Sequence, residues 1–263
     1  MKKYFYLCSL PRAGNTIFAS MMGQNPRIKV TANSLVCDMV GGLATLKNLE
    51  AFKSFPDHDS FDNVMKNIIP NYYKNWDADY IIDRSSWGLP DRLALLEQFN
   101  PNEIKIIVLV RDLKEILASF IKFSFLNETN FIAKSGKTIQ QRCDYLMQNG
   151  GELYKWAESV YNLTNTANRK YIHLIEYNDL VSQPEHELGK VYDFLGIPQY
   201  KHSFTNLSQL SNNGMQYDDS VFGGDLHKIK TDKVEKSKYN ISDYLPDNVS
   251  QRYHIDNFWR HAD

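Results

Sequence analysis

Apolar runs of strand length alternate with stretches of helical spacing along most of this chain. Tyr4-Phe5-Tyr6-Leu7-Cys8 is an aromatic and apolar run, followed by a loop over 9–16 and a helical pattern that Gln24-Asn25-Pro26 ends. Ile28-Lys29-Val30 is a short strand candidate. Residues 31–78 mix polar and apolar positions without a clean period, with a helix expected from Phe61 to about Lys74. Tyr80-Ile81-Ile82 is a second buried-type strand, and Pro90 sits where the first turn of a helix tolerates it, with Pro101 closing that helix after Phe99. The run over 104–110 is the clearest strand, continuously apolar as a central parallel strand requires. Asp112 and Glu115 have capping-box spacing, so a helix is expected from 112 to about 125. Ile139, Cys143 and Leu146, then Leu153, Trp156, Val160 and Leu163, give two helices split at Asn149-Gly150-Gly151. A strand over 170–175 and a helix from Pro184 to Leu195, stopped at Gly196, complete the pattern. The tail from Gln199 is polar and loop-rich.

Strands alternating with helices imply a parallel sheet with crossover helices: an α/β three-layer sandwich, P-loop nucleotide-binding-like, with helical insertions at about 31–78 and 120–168. At 263 residues the chain suits one domain over 1–263. Ligands of such sheets bind at the carboxyl ends of the strands. Arg12, the pair Asp83 and Arg84, Arg111 and Tyr177 each follow a strand, so all four are expected on one edge.

The first loop carries the most specific chemistry. A strand, a Gly-bearing loop and a helix N-terminus together aim backbone N–H groups and a positive dipole at an anion. Against the template G-x-x-x-x-G-K-[ST], the octet ending at Thr16 matches in length, in Gly14 and in Thr16. Ser9 replaces the first Gly, Asn15 replaces the Lys that reaches a triphosphate, and the cation has moved to Arg12. A phosphate cradle is implied, but not one suited to ATP or GTP with magnesium.

Charge narrows the partners. With 30 basic and 31 acidic residues the net charge is −1, which gives no electrostatic footprint for nucleic acid. Cys8, Cys37 and Cys143 are odd in number and far apart, as expected of reduced thiols in a cytoplasmic protein. Met1-Lys2-Lys3 before an apolar run imitates a signal peptide, but Pro11 and Arg12 end the run without a cleavage pattern. No apolar stretch approaches membrane-spanning length, so a soluble protein without a membrane span is expected. The seven histidines are scattered without ligand spacing, and no metal is expected.

Pro11-Arg12-Ala13-Gly14-Asn15-Thr16 resembles the 5′-phosphosulfate loop of sulfotransferases that use 3′-phosphoadenosine 5′-phosphosulfate (PAPS). The stretch from Val110 through Arg111 and Ser119 to Phe120 resembles the family's 3′-phosphate motif, with an Arg at a strand end and a Ser eight residues on. Glu176-Tyr177-Asn178-Asp179-Leu180, with Pro184 and Phe194-Leu195-Gly196-Ile197-Pro198, is similar to the family stretch whose Tyr contacts adenine. Leu226-His227-Lys228-Ile229-Lys230 resembles a late Leu-His-x-x-Arg segment of bacterial members.

The resemblance implies a soluble bacterial-type sulfotransferase, with PAPS as co-substrate and 3′,5′-ADP as product. Cofactor contacts would come from Arg12, Ala13, Gly14, Asn15, Thr16, Ile17, Arg111, Ser119, Tyr177, Lys228 and Lys230. Ile17 stands where the family often has Trp, which speaks against a two-aromatic adenine sandwich. Arg12 is expected to act in catalysis too, by neutralising charge on the bridging oxygen.

For the general base, relatives often place a His after the strand that ends here at Ile82; this chain has Asp83, the first candidate, with an ion pair to Arg84 or another cation as its alternative role. His227 is the second. Asn33 stands about where animal tyrosine-protein sulfotransferases place a catalytic Glu and cannot serve. The acceptor stays open among small molecules, carbohydrates, lipids and peptides. A nucleotide kinase with a degenerate loop and a non-catalytic nucleotide-binding adaptor are the rival readings.

Overall fold

The structure is a computed structural model that describes residues 2–100, 104–212, 214–229, 232–236, 239–253 and 257–261. Strands β1 (Lys3–Ser9), β2 (Ile28–Val30), β3 (Tyr80–Arg84), β4 (Ile106–Val110) and β5 (Ile172–Glu176) form one sheet in the order β2-β3-β1-β4-β5. Every neighbouring pair is parallel, and helices cover both faces. In chain order the helices are α1 (Asn15–Met22), α2 (Val36–Thr45), α3 (Glu50–Ser54), α4 (His58–Tyr72), α5 (Pro90–Phe99), α6 (Leu113–Ser124), α7 (Phe131–Lys134), α8 (Ile139–Met147), α9 (Glu152–Thr164), α10 (Tyr177–Ser182), α11 (Pro184–Leu195) and α12 (Asp247–Ser250).

Burial explains why these runs became strands. Every residue of β4 is fully buried, and β1 is buried from Phe5 onward. Each such aliphatic side chain contributes roughly 1.5–3 kcal/mol when taken from water. The expected strand over 104–110 begins two residues late, at Ile106, and the last begins at Ile172 after a short 3₁₀ turn over Arg169–Tyr171. Helix α4 starts earlier than its apolar spacing suggested, because the Asp57 carboxylate accepts from the Ser60 N–H at 3.0 Å and fixes the first turn. Helix α6 starts after Asp112, whose carboxylate accepts from the N–H groups of Lys114 and Glu115. The reciprocal half of the capping box is missing, since Glu115 pairs with Arg111 instead. Pro101, expected to close α5, lies outside the described residues.

The strand order fixes the site. After β1 the chain crosses to β2 on one side, and after β4 it goes to β5 on the other. Between the carboxyl ends of β1 and β4 the connections diverge and leave a crevice.

The tail crosses that edge as a strap, in the sheet's own order. Asn212 donates to the Val30 carbonyl (2.6 Å) at the end of β2, and the Tyr217 hydroxyl to the Ala32 carbonyl (2.8 Å). The Leu226 carbonyl accepts from Arg12 after β1, and the Tyr239 hydroxyl accepts from Arg111 (3.3 Å) after β4. Beyond it, Asn257 donates to Asp112 (2.9 Å), and Arg260 donates to Glu176 (2.7 Å) at the end of β5. The strap has little regular structure, and these bonds to the edge place it.

Candidate active site

The first loop is bent by its backbone. Arg12 and Gly14 take left-handed conformations, at φ 61° and 88°. A Cβ on Gly14 would also stand 2.9 Å from Cδ2 of Tyr177, so both conformation and space call for glycine here. The Asn15 side chain turns inward and donates to the Leu10 carbonyl at 3.1 Å, closing the loop on itself. Asn15 therefore contributes its backbone to the cradle, not its amide. The first N–H groups of α1, on Asn15, Thr16 and Ile17, have no acceptor within the helix. Ala13 is buried beneath them.

Two arginines meet above this loop. Arg111 is 5% exposed and donates to the Arg12 carbonyl (3.0 Å), to Glu115 (2.9 Å) and to the Tyr239 hydroxyl. Its guanidinium lies over the Tyr177 ring, 4.2 Å from the centroid, and the same ring packs on Gly14. Arg12 donates through Nε to the Ser119 hydroxyl at 3.0 Å and through Nη1 to the Leu226 carbonyl. Burial, and then the charge of Arg111, push the Arg12 pKa down. Arg111 pairs with Glu115, which Lys236 also approaches at 3.2 Å, while Arg12 has no carboxylate in ion-pair contact among the described residues and feels the charge of Asp219 only at longer range. The pocket therefore carries a surplus of positive charge, the condition for holding a multiply charged anion.

The strap adds a second cluster. His227 Nδ1 lies 2.6 Å from Oδ1 of Asp219, and its backbone N–H donates to Oδ2 at 2.8 Å. The imidazole stacks flat on Tyr217, at 3.8 Å and 4°, and meets the edge of Phe222. Burial pushes the His227 pKa down; Asp219 opposes this, while Arg84 and Arg12 add to it. An open cleft of about 460 Å³ beside the ring is lined by Gln216, Tyr217, Asp219, Ser220, Asp225 and Lys228 among others.

Asp83 and Arg84 end β3 and part company there, as successive strand residues must. Asp83 accepts from the Tyr73 hydroxyl and from Trp87 Nε1 (2.5 Å), and is 1% exposed. Burial pushes its pKa up, against the hydrogen bonds from Ser34, Tyr73 and Trp87. Both oxygens are engaged inside the core, which leaves Asp83 poorly placed as a base. The ion pair with Arg84 does not form either. Arg84 turns the other way, to the Ala32 carbonyl (2.8 Å) and the Ser9 hydroxyl (3.4 Å), beneath Tyr217 and next to His227.

Of the residues singled out in the sequence, the loop 12–17, Arg111, Ser119, Tyr177 and His227 come together. Lys228 pairs at 3.3 Å with Asp225, and both side chains are about two-thirds exposed, so it faces solvent. Lys230 lies outside the described residues. Arg84, Tyr217, Asp219 and Tyr239 are site neighbours that pattern reasoning did not assign. Arg84 had a signal, its place at a strand end; the three strap residues had none, because nothing periodic places that segment.

The family model described as "Sulfotransferase domain" matches residues 89–252. No curated protein matches the chain. Among solved structures, mouse sulfotransferase SULT7A1 complexed with PAP is 15% identical with a TM-score of 0.58, over 99% of this chain and 88% of that one. Retinol dehydratase in complex with androsterone and inactive cofactor PAP is 13% identical at TM-score 0.48, over 98% and 79%. The sulfotransferase domain from the Curacin biosynthetic pathway is 18% identical at TM-score 0.48, over 76% and 75%. The mouse enzyme supports the fold, and the other two add no argument.

Proposed function

We propose how this chain, which belongs to the sulfotransferase family, holds its nucleotide and moves a sulfuryl group to a hydroxyl or amine. The contact that carries the reading joins the two phosphate motifs: Arg12 of the first loop donates to Ser119, 107 positions away, at 3.0 Å. The loop 12–17 receives the 5′-phosphosulfate of PAPS on backbone N–H groups. Arg111 and Ser119 receive the 3′-phosphate, and Tyr177 and Ile17 border the adenine. The surplus positive charge fits such an anion, and Asn15, committed to Leu10, leaves no cation where a nucleotide kinase needs one.

In the transfer, the acceptor oxygen or nitrogen forms a bond to sulfur as the bond from sulfur to the 5′-phosphate oxygen breaks. Arg12 neutralises the charge that grows on the departing oxygen, in a pocket where preorganised donors count most. His227 takes the acceptor's proton on Nε2; as a group on the mouth of the site it is better placed than the core-bound Asp83. The acceptor is a small molecule, carbohydrate, lipid or peptide bearing a free hydroxyl or amine. We read residues 1–263 as a single domain with this one function, in the cytoplasm, where its three buried free cysteines stay reduced. Among the described residues, no helix is long and apolar enough to cross a membrane.

A thermal-shift comparison tests the nucleotide. At about 100 times its Kd, 3′,5′-ADP should stabilise the chain by about 2.7 kcal/mol, with ADP and Mg-ATP giving far less. Stabilisation by Mg-ATP but not by 3′,5′-ADP would overturn the assignment.

A further inference from the structure

The strap offers His227 one acidic partner and holds it in two places at once. The Asp219 carboxylate faces Nδ1 with one oxygen and accepts the His227 backbone N–H with the other, so ring and main chain are clamped by one side chain. The pair is shielded, with side chains 18% and 15% exposed. Tyr217 fixes the plane of the ring by stacking, and is itself tied by its hydroxyl to Ala32 beside the sheet edge. A neutral imidazole donates from one nitrogen and accepts at the other, and a carboxylate against Nδ1 selects the tautomer with the proton there. Among the described residues nothing hydrogen-bonds Nε2.

We propose that Asp219 is a positioning residue for sulfuryl transfer: it holds His227 in the Nδ1–H tautomer, so that the bare Nε2 can take the acceptor's proton. The inference rests on the reading of His227 as the base. When the acceptor's O–H or N–H proton moves to Nε2, its electron pair forms the new bond to sulfur, and the electron pair of the breaking S–O bond leaves with the nucleotide. The imidazolium so formed keeps its Nδ1–H on Asp219, which stays ionised. The charged groups facing the ring explain why a partner is needed. Arg84 from the end of β3 and Arg12 from the first loop both disfavour a positive charge on the ring, and Tyr217 and Phe222 are uncharged. Asp225 and Lys228 of the same cleft pair with each other, and among the described residues Asp219 is the group that favours the imidazolium.

The test uses the full chain with ¹⁵N-labelled histidine, and His227→Gln to assign the ring signals. Two-bond ¹H–¹⁵N spectra of the wild type, with and without 3′,5′-ADP, should show a protonated Nδ1 and an unprotonated Nε2 at neutral pH. In Asp219→Asn the titration of His227 should move to lower pH, since the charge that favours the imidazolium is gone. With water as the acceptor, sulfate release from PAPS should lose about 10- to 100-fold in kcat with little change in KM. Asp219→Glu should restore part of both. A wild-type ring protonated at Nε2 overturns the proposal, as does an unchanged titration and rate in a folded Asp219→Asn. Should that variant fail to fold, the wild-type tautomer decides alone. Failure of 3′,5′-ADP to stabilise the chain would sink the nucleotide reading while leaving the tautomer measurement to judge Asp219.

Discussion

The carboxyl edge of the sheet and the strap that crosses it carry similar chemistry under opposite constraints. On the edge, Arg84 ends β3 and Arg12 and Arg111 follow the ends of β1 and β4, three adjacent strands whose ladder and buried cores fix the backbone beneath them. On the strap, Tyr217, His227 and Tyr239 sit in loops, placed by side-chain hydrogen bonds rather than a ladder: Tyr217 to Ala32, His227 to Asp219, and Tyr239 between Arg111 and the Glu115 carbonyl. The edge supplies fixed positive charge, which must not move while an anion is held. In the proposed reaction the strap supplies the proton-handling group, which must meet an acceptor from outside. Damage to the edge should therefore cost binding and catalysis together, and damage to the strap should cost turnover while the nucleotide still binds.

The largest effect expected is on Arg12. Arg12→Ala should lower kcat for sulfate release from PAPS by about 10²- to 10³-fold, with a smaller rise in KM, as removal of a donor to developing charge does. A change in KM alone would make Arg12 a ground-state anchor and blur the division between the two regions. Next comes Arg111. Losing its charge-assisted contacts should weaken 3′,5′-ADP by roughly ten- to 150-fold, and 5′-AMP much less. Equal weakening of both ligands in calorimetry would show that its bonds to Arg12, Glu115 and Tyr239 are its whole role.

The smallest effect sharpens the contrast inside β3. Asp83→Asn should leave the pH profile of sulfate release intact, yet cost about 1–3 kcal/mol of stability near pH 4, where Asn cannot accept from both Tyr73 and Trp87. Burial raises the folded pKa of Asp83, so its favourable contribution is complete below its unfolded pKa and is lost as pH rises through the folded value. The stability gap between wild type and variant, read from urea midpoints, should therefore narrow from pH 4 towards neutrality. A gap that widens instead would mean the carboxylate is stabilised in place and open to catalysis.

The same contrast explains what was legible in the sequence. The strand end at Val110, and to within one residue those at Ser9 and Glu176, follow from apolar runs that suit a buried parallel sheet, so the convergence of Arg12, Arg111 and Tyr177 could be read in advance. Ser119 was singled out only by the resemblance to the family's 3′-phosphate motif; the helix expected after Asp112 placed it on α6 but gave it no role. Asp83 was misjudged because a strand end shows which residues reach the edge but not which of two neighbours turns into the core. Tyr217, Asp219 and Tyr239 were invisible for a different reason. Tyr217 and Tyr239 are placed by contacts with residues more than 100 positions away, Ala32 and Arg111, and Asp219 by its bonds to His227 within an irregular loop; no local period records either kind of contact. His227 was found by its motif, but its partner, eight positions earlier in the same loop, was not.

The central claim is that edge and strap form one nucleotide-dependent site, and hydrogen exchange of the full chain with saturating 3′,5′-ADP tests it most directly. The account predicts slower exchange in three segments together: the loop 10–17, the start of α6 near Arg111, and the strap over 217–229. Protection of the loop and α6 with an unchanged strap would contradict it, because the base would then sit on a segment that does not belong to the bound site.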